Sequence, residues 1–435
     1  MRLIRHFLIF VTLAFGVAAC GYSKLAYCKV RAAFQHSPEN LKTSAPEKCV
    51  LVTGMIAGAI ARGTPLAIVA VTSHEKENCL MSYAIIAAPG PYYLFLPEGK
   101  YQLQVFADLN GNLLFEQNEM IGSSGNTDSL IVDKEKAEKG IVRVADIKVD
   151  PAGPRKSDAP VSLEMPEERE AALSRHVPTG LITTMDDMRF DEDNGFTGLY
   201  QPAVFFEKVN GFVYMLEEYD PAKIPIVFVH GIKGTPRDWR SVVDGLDRKR
   251  FQPWFFFYPT GLRLETIARL FHDAILANEA FRGGKTVIAA YSLGGLVVRE
   301  AMNIGEGVKD ENAPQLFISI CSPYGGVNSA ATAVSSSPVV VPSWTDLASG
   351  SEFINSLHRR NLPRGTKFNL LFAYGSSHFL KIGPNDDGTV SLKSQLDPRA
   401  QKEAGYLRGF DEKHSGILNS SELLDEFKTI LASVK

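Results

Sequence analysis

The residues best suited to chemistry lie in one short stretch, residues 287–295. A β-branched and apolar run ends there at Ser292, and two glycines and a helical pattern follow. This order predicts a strand, a sharp turn and a helix. Such a turn strains its central residue and pushes that side chain beyond the sheet edge, so the residues two positions away must be small. Ala290 and Gly294 meet this requirement, and Ser292 is therefore a candidate nucleophile.

Three other stretches would complement such a serine. Acyl transfer needs a base that takes the serine proton, a carboxylate that holds the base, and donors for the oxyanion. The stretches are residues 226–234 with His230-Gly231, residues 387–390 with Asp387-Gly388-Thr389-Val390, and the loop around His414. Together with the Ser292 turn they resemble the α/β-hydrolases of the serine lipase and esterase type, in particular the bacterial lipase and GPI inositol-deacylase-like branch, over about residues 195–435.

The resemblance implies a role for each member of a catalytic triad. In this family the nucleophile comes first in the chain, then the acid, then the histidine. His414 is the one histidine that follows a plausible acid, because the other candidates precede it: His230, His272, His358 and His378. Asp387 matches the Asp-Gly-x-Val of the lipase pattern and is the predicted acid, with the adjacent Asp386 as the alternative.

The oxyanion donors implied by the resemblance are two backbone amides. One is the N–H of Leu293, which follows the nucleophile at a helix N-terminus. The other is the N–H of Ile232, after His230-Gly231. His230 is then a residue that shapes the turn and does not act as a base.

The elements that position these residues are predicted by alternating strand and helix patterns, which favour a mostly parallel sheet with helices on both faces. Predicted strands are residues 211–216, 226–229, 254–258, 287–291, 316–321 and 368–374, and amphipathic helices cover 267–275 and 423–431. An apolar, proline-containing insertion at residues 322–350 occupies the place of a lipase lid. It is either a lid over an acyl groove or a buried connection without a gating role.

The N-terminal part of the chain, from about residue 49 to 149, is predicted to be β throughout. Strand-like runs lie at residues 65–71, 83–86, 92–96 and 101–106, and the last two are expected to form a hairpin across residues 97–100. The product is a small antiparallel sandwich that resembles transthyretin-like or carboxypeptidase-regulatory-like modules in its pattern.

A polar segment of this region has the spacing of a calcium loop. Oxygen-bearing side chains occupy its first, third, fifth, ninth and twelfth positions: Asp108, Asn110, Asn112, Glu116 and Glu119. The glycine expected at position six stands instead at position four, Gly111. The segment is either a structural calcium site or a plain polar turn, and no other cofactor is expected.

The first twenty residues are predicted to be a targeting segment. A basic start, about a dozen apolar residues and then Cys20 follow one another, and so short an apolar run does not span a bilayer. The segment resembles a bacterial lipoprotein signal with Cys20 as the lipidated residue, and Gly21 after it resembles the pattern of outer-membrane sorting. The alternative is an ordinary secretory signal; either way the protein is expected to be exported.

The cysteine positions and the net charge bear on disulfide bonds and on the class of partner. Cys28, Cys49 and Cys79 lie in the N-terminal part of an exported protein, where one disulfide is plausible. Cys321 ends a strand pattern and is predicted to be a buried small hydrophobe. A net charge of −3 and a pI near 6.3 argue against a nucleic-acid partner.

These observations predict a signal peptide at residues 1–20, a tether at 21–48, a β-sandwich domain at 49–149, a linker with a short charged helix at 150–194 and an α/β-hydrolase domain at 195–435. The predicted function is hydrolysis of lipid or other acyl esters by an outer-membrane lipoprotein. Two alternatives stay open: an acyltransferase or amidase that uses the same triad, and a non-catalytic envelope interaction lipoprotein.

Overall fold

The computed structural model describes residues 49–434, except for 62–63, 75–76, 87–88, 113, 126–129, 134, 138–140, 160, 165–175, 178–179, 210–211, 278–284, 305–312, 338–339 and 376–384. The predicted signal peptide with Cys20, the tether with Cys28, most of the short charged helix and His378 lie outside the described residues. No helix in the described part is both long and apolar enough to cross a membrane.

The chain divides into two compact units. The first comprises described residues between 49 and 164 together with 196–209, and the second comprises those between 176 and 195 together with 212–434. Residues 196–209, which the predicted boundary assigns to the hydrolase domain, therefore cluster with the N-terminal unit.

The first unit is built mainly from strands. They are β1 (Cys49–Ala57), β2 (Leu66–His74), β3 (Glu77–Ile86), β4 (Pro91–Pro97), β5 (Gly99–Ala107), β6 (Leu114–Glu116), β7 (Met120–Ser123), β8 (Leu130–Val132), β9 (Ile141–Arg143), β10 (Ile147–Lys148) and β11 (Ser162–Glu164). One sheet has the order β10-β1-β4 with β9 beside β1, another has the order β3-β2-β5-β7 with β8 beside β5, and β6 pairs with β11. Apolar side chains from both larger sheets form one core cluster.

The predicted hairpin between residues 92–96 and 101–106 is wrong. β4 pairs with β1, whereas β5 pairs with β2, β7 and β8, so the short connection crosses from one sheet to the other. The alternate residues of both strands, such as Leu94 and Leu103, enter the same core cluster from different sheets. A hairpin and a crossing between sheets produce the same alternation of apolar and polar residues in the sequence. The crossing between β4 and β5 is held by the Tyr101 hydroxyl, which donates to the carbonyl of Pro97 at 2.9 Å.

The second unit contains a nine-stranded sheet with the order β12-β13-β14-β16-β15-β17-β18-β19-β20. Its strands are β12 (His176–Val177), β13 (Gly180–Ile182), β14 (Val213–Met215), β15 (Ile224–Val229), β16 (Phe251–Phe256), β17 (Val287–Tyr291), β18 (Leu316–Ile320), β19 (Lys367–Ala373) and β20 (Tyr406–Phe410). All neighbours from β16 to β20 are parallel, which confirms the predicted mostly parallel sheet. The sequence patterns did not predict β12, β13 or β20.

The helices are α1 (Glu192–Tyr200), α2 (Pro202–Val209), α3 (Arg240–Asp244), α4 (Leu264–Phe271), α5 (Leu293–Ala301), α6 (Asn328–Ser336), α7 (Pro342–Leu347), α8 (Glu352–Ser356), α9 (Leu392–Gln395), α10 (Pro398–Glu403) and α11 (Ser421–Ala432). In the second unit α4 packs against α5, and α3 packs against α11. The amphipathic patterns at residues 267–275 and 423–431 thus correspond to real helices, the first continued by one wider turn at His272–Leu276.

Parallel strands bring their carboxyl ends to one edge of the sheet, where ligands of such sheets bind. His230 follows β15, Ser292 follows β17 and Cys321 follows β18. Asp387 lies in the connection after β19, and His414 lies in the loop after β20. The sheet topology therefore gathers five chemically active side chains at one edge.

Candidate active site

The turn at Ser292 has the strained geometry that the sequence predicts. Ser292 joins β17 to α5 with φ of 53° and ψ of −121°, a backbone region that non-glycine residues rarely occupy. Its N–H donates to the carbonyl of Ile320 on the neighbouring strand at 2.8 Å, which holds the turn in place. Ala290 is fully buried, so its methyl group fits where glycine is usual.

His414 lies beside this serine. Its Nε2 is 2.9 Å from Ser292 Oγ, although the two residues are far apart in the chain. The histidine is 8% exposed, and its backbone N–H donates to the carbonyl oxygen of Asp387 at 2.8 Å. The imidazole is thus placed to accept the serine proton, and the loop is attached to the segment that carries the acid.

The acid in contact with the histidine is Asp387. Its Oδ2 lies 2.6 Å from His414 Nδ1, and its Oδ1 accepts the N–H groups of Thr389 and Val390 at 2.9 and 2.7 Å. Asp386 is also buried, but its Oδ1 accepts the Gly388 N–H instead. Between the two predicted alternatives, the structure joins Asp387 to the histidine.

Gln395 holds the acid from the other side, and the sequence analysis did not single it out. Its Nε2 donates to Asp387 Oδ2 at 3.1 Å and to the carbonyl of Ala373 at 2.9 Å. Its Oε1 accepts the N–H of Ala373 at 3.0 Å, and the side chain is fully buried. The amide is therefore fixed by the end of β19, and it fixes the carboxylate in turn.

Cys321 is fully buried, as predicted, but its surroundings are polar. The residue has a φ of 52°. Its Sγ, a carboxylate oxygen of Asp387 and a ring nitrogen of His414 all lie within 4.8 Å of one another. Burial, and then the nearby charge of Asp387, raise the pKa of the thiol well above its usual range. Because Asp387 and His414 are joined directly at 2.6 Å, this group is a hydrogen-bonded set and not an open metal cage.

His230 lies in the turn after β15 and is neutral. Burial lowers the pKa of its imidazole from 6.5 to about 4, against the opposing effect of its bond to Gly231. Nδ1–H donates to the carbonyl of Gly231 at 2.8 Å, and Nε2 accepts the N–H of Tyr258 at 3.3 Å. Both ring nitrogens are engaged, in agreement with a turn-shaping role.

The two predicted oxyanion amides belong to segments that adjoin the serine. Leu293 is the first residue of α5, whose leading N–H groups have no acceptor within the helix. Ile232 follows Gly231, where an added Cβ would lie 3.0 Å from Ser292 Cβ. The turn that carries Ile232 therefore passes directly beside the nucleophile.

The insertion after β18 forms α6 and α7, and it is fastened to the N-terminus of α4. Asp346 on α7 pairs with the Arg263 guanidinium at 2.6 Å and accepts the N–H of Leu264 at 2.7 Å. Asp346 itself is 1% exposed. Whether this segment opens as a lid stays a prediction.

The described part of the predicted calcium segment consists of bends at residues 110–112, strand β6 and one 3₁₀ turn at Gln117–Glu119, and its own side chains accept hydrogen bonds from its backbone. Asp108 Oδ1 accepts the N–H groups of Gly111 and Asn112 at 2.8 and 3.1 Å. The carboxylate of Glu119 accepts from Leu109 and Glu116 at 3.1 and 3.0 Å. These carboxylate oxygens accept hydrogen bonds from backbone amides, as expected for a plain polar turn. Calcium binding stays a prediction.

No family model and no curated protein matches this chain. Among solved structures, the mature lipase BlEst2 of Bacillus licheniformis is 20% identical with a TM-score of 0.39, over 51% of this chain and 98% of that chain. The product of the gene lin2722 of Listeria innocua is 15% identical with a TM-score of 0.37, over 49% and 95%. A structure described with carboxylesterases of Nitrososphaera gargenis is 14% identical with a TM-score of 0.35, over 51% and 94%. Because these TM-scores are below 0.5, the similarities do not assign an activity to this chain.

Proposed function

We propose that this protein is a serine hydrolase that cleaves carboxylic esters, with Ser292 as the nucleophile, His414 as the base and Asp387 as the acid. The observation that carries this proposal is the continuous chain of hydrogen bonds from Ser292 Oγ through both nitrogens of His414 to Asp387, with distances of 2.9 and 2.6 Å. A nucleophile, a base and a residue that orients the base are what acyl transfer requires.

In the first half of the reaction Ser292 Oγ attacks the ester carbonyl carbon while His414 Nε2 takes the hydroxyl proton. The carbonyl oxygen becomes an oxyanion, which accepts hydrogen bonds from the N–H groups of Leu293 and Ile232. Asp387 stabilises the imidazolium through Nδ1–H. The C–O bond of the tetrahedral intermediate then breaks, and the leaving alcohol receives its proton from His414.

In the second half a water molecule replaces the alcohol. His414 Nε2 removes a proton from the water, whose oxygen attacks the acyl carbon of the ester on Ser292. The second tetrahedral intermediate collapses to release the carboxylic acid, and Ser292 Oγ regains its proton from His414. The free enzyme is restored without any cofactor.

The direct test is turnover of p-nitrophenyl acyl esters by wild type and Ser292→Ala. Loss of such a nucleophile costs ~10⁴-fold or more in turnover. Ser433→Ala is the matched control, because Ser433 is an exposed serine near the end of the same unit, and it should keep wild-type rates. Equal rates for wild type and Ser292→Ala would overturn the proposal.

A competition assay separates this proposal from an acyltransferase with the same triad. Water and a primary alcohol are offered together, and the products are quantified. Free acid as the main product supports hydrolysis, whereas transfer of the acyl group to the alcohol in preference to water contradicts it. An amide substrate that is cleaved faster than the matched ester would likewise contradict the assignment as an esterase.

We also propose that the mature protein is anchored in the bacterial outer membrane through a lipid on Cys20, with the acyl-ester substrate reached from that surface. The support is the sequence of the first twenty residues and Gly21. Metabolic labelling with a palmitate analogue tests it: wild type and Cys28→Ser should carry the label, and Cys20→Ser should lose it. Equal labelling of Cys20→Ser would contradict the anchor.

For the N-terminal unit we propose a β-sandwich module of the transthyretin-like kind. The support is the single core cluster to which both larger sheets contribute, for example through Val52 on β1 and Ile68 on β2. An experimental structure of the full chain tests it, and two sheets that do not share this core would contradict it.

A further inference from the structure

Tyr291 makes a contact that the catalytic steps above do not use. It is the last residue of β17 and directly precedes Ser292. Its hydroxyl donates a hydrogen bond to the backbone carbonyl of His414 at 2.6 Å. The two rings also lie against each other, with centroids 5.1 Å apart and planes tilted by 35°.

This bond completes the attachment of the His414 backbone. The N–H of His414 donates to the carbonyl of Asp387 at 2.8 Å, and the carbonyl of His414 accepts from Tyr291. The peptide groups on both sides of the histidine are therefore held, one by the residue that supplies the acid and the other by the neighbour of the nucleophile.

The need for such an attachment follows from the position of His414. The residue lies on a loop after an edge strand, β20, and not on a helix or a central strand. Catalytic groups must be held within a fraction of an ångström of productive geometry, and a misplacement of ~1 Å can cost ~10²-fold in rate. A hydroxyl that belongs to the nucleophile's own turn is a direct way to set the spacing between serine and histidine.

We infer that Tyr291 is a positioning residue, which fixes His414 Nε2 against Ser292 Oγ by holding the His414 carbonyl. This inference rests on the proposed function, since it concerns the same site. Tyr291 belongs neither to the triad nor to the residues that supply the oxyanion amides.

The tyrosine is suited to this task because its hydroxyl stays protonated. Burial raises the pKa of Tyr291 far above its ordinary value of 10.0, and the nearby Cys321 and Asp387 act in the same direction. Cys321 and Asp387 thus add to the effect of burial in opposing the ionisation of Tyr291. The bond to His414 should therefore persist over the whole pH range in which the enzyme is folded.

The test compares Tyr291→Phe with Tyr101→Phe in the full chain. Tyr101 in the other unit is the control, because its hydroxyl also donates to a backbone carbonyl, that of Pro97 at 2.9 Å. Tyr101 is buried and Tyr291 is half-buried. Tyr291→Phe should lower kcat by ~10-fold and change KM by less than ~2-fold. Tyr101→Phe should keep kcat. Placing 4-aminophenylalanine at position 291, which restores an N–H donor, should recover most of the lost kcat.

A kcat for Tyr291→Phe equal to that of Tyr101→Phe would overturn the inference and leave Tyr291 as a merely structural residue.

A second measurement does not depend on turnover. The Nδ1–H proton of His414, bonded to Asp387, should give a strongly downfield proton NMR resonance in the resting protein, absent from His414→Ala. This resonance should broaden or shift in Tyr291→Phe and stay unchanged in Tyr101→Phe. If wild type turned over no ester, the proposed function would fail, while an unchanged resonance in Tyr291→Phe would count against the positioning role alone.

Discussion

Gly294 lies against the carbonyl oxygen of His230, so closely that a Cβ atom at position 294 would be 2.7 Å from it. The same Cβ would be 2.7 Å from the carbonyl of Val229. The helix that begins after the nucleophile is thus packed directly onto the turn proposed to carry an oxyanion amide. This contact explains why a glycine is needed two residues after Ser292, whereas the alanine two residues before it is accommodated.

Gly294→Ala should therefore damage both stability and activity. The added methyl group must push α5 away from the His230 turn, and overpacking of this kind costs ~1–3 kcal/mol. We expect a lower melting temperature and a loss of ester turnover that exceeds the loss of folded protein. Gly405→Ala is the control, since the nearest atom to its added Cβ would be 3.9 Å away. A Gly294→Ala protein with wild-type melting temperature and kcat would contradict this packing argument.

Gln395→Met should lower kcat while KM changes little. Methionine has a similar size but cannot donate to Asp387, so the carboxylate loses one of its fixed partners and His414 loses part of its orientation. We expect a loss of ~10-fold, in line with a bond of ~1.4 kcal/mol to a charged group. Gln401→Met removes an amide that donates to the carbonyl of Leu396 on an exposed part of the chain, and its kcat should be unaffected. Steady-state kinetics measure both variants, and equal kcat values for Gln395→Met and Gln401→Met would contradict this role of Gln395.

His230 should make the protein less stable as the pH decreases from about 6.5 towards 4. The folded-state pKa is lowered to about 4 from 6.5 by burial, so protons bind first to the unfolded chain. The neutral imidazole contributes fully to the free energy of unfolding above pH 6.5. Up to ~3 kcal/mol of that contribution is lost as the pH falls towards 4. Denaturant unfolding at several pH values gives the free energy of unfolding as a function of pH, and between pH 4 and 6.5 its slope should be less positive for His230→Gln than for wild type. An unchanged slope would contradict the assignment.

Asp238 should act in the opposite sense. Burial raises the pKa of its carboxyl from 3.8 to about 6, with a bond from the Thr235 N–H opposing this and the charge of Glu192 adding to it. The folded state therefore holds a proton that the unfolded chain has lost, and stability decreases as the pH rises from 3.8 to about 6. Asp238→Asn removes the buried charge and keeps an acceptor for Thr235. Its melting temperature should exceed that of wild type most clearly above pH 6, and a gain confined to acidic pH would count against this explanation.

The sequence predicted the parts of the site that depend on local pattern. The turn at Ser292 has a strand, a small residue on each side and a helix in immediate succession, so its geometry is encoded within ten residues. His414 was identified by its order in the chain, which the resemblance supplied. Asp387 and Asp386 could not be separated in this way, because neighbouring residues in a loop differ in orientation, which depends on tertiary contacts.

The rest depended on contacts between distant parts of the chain. Gln395 and Tyr291 look like an ordinary helical glutamine and an ordinary strand residue, and their roles arise from bonds to Asp387 and His414. The error at residues 92–106 has a similar origin. Alternating apolar residues show which face of a strand is buried, but they do not show which strand lies beside it. Edge strand β20, with its exposed Tyr406 and Leu407, lacks the apolar run that predicts a central strand.

The most direct test of the central claim is covalent labelling of the full chain with a fluorophosphonate, followed by peptide mass spectrometry. The account predicts one adduct on Ser292 in wild type and loss of that adduct in His414→Ala, because the serine is nucleophilic only when the histidine takes its proton. A wild-type protein that is folded and acquires no adduct at Ser292, or one labelled equally well in His414→Ala, would contradict it.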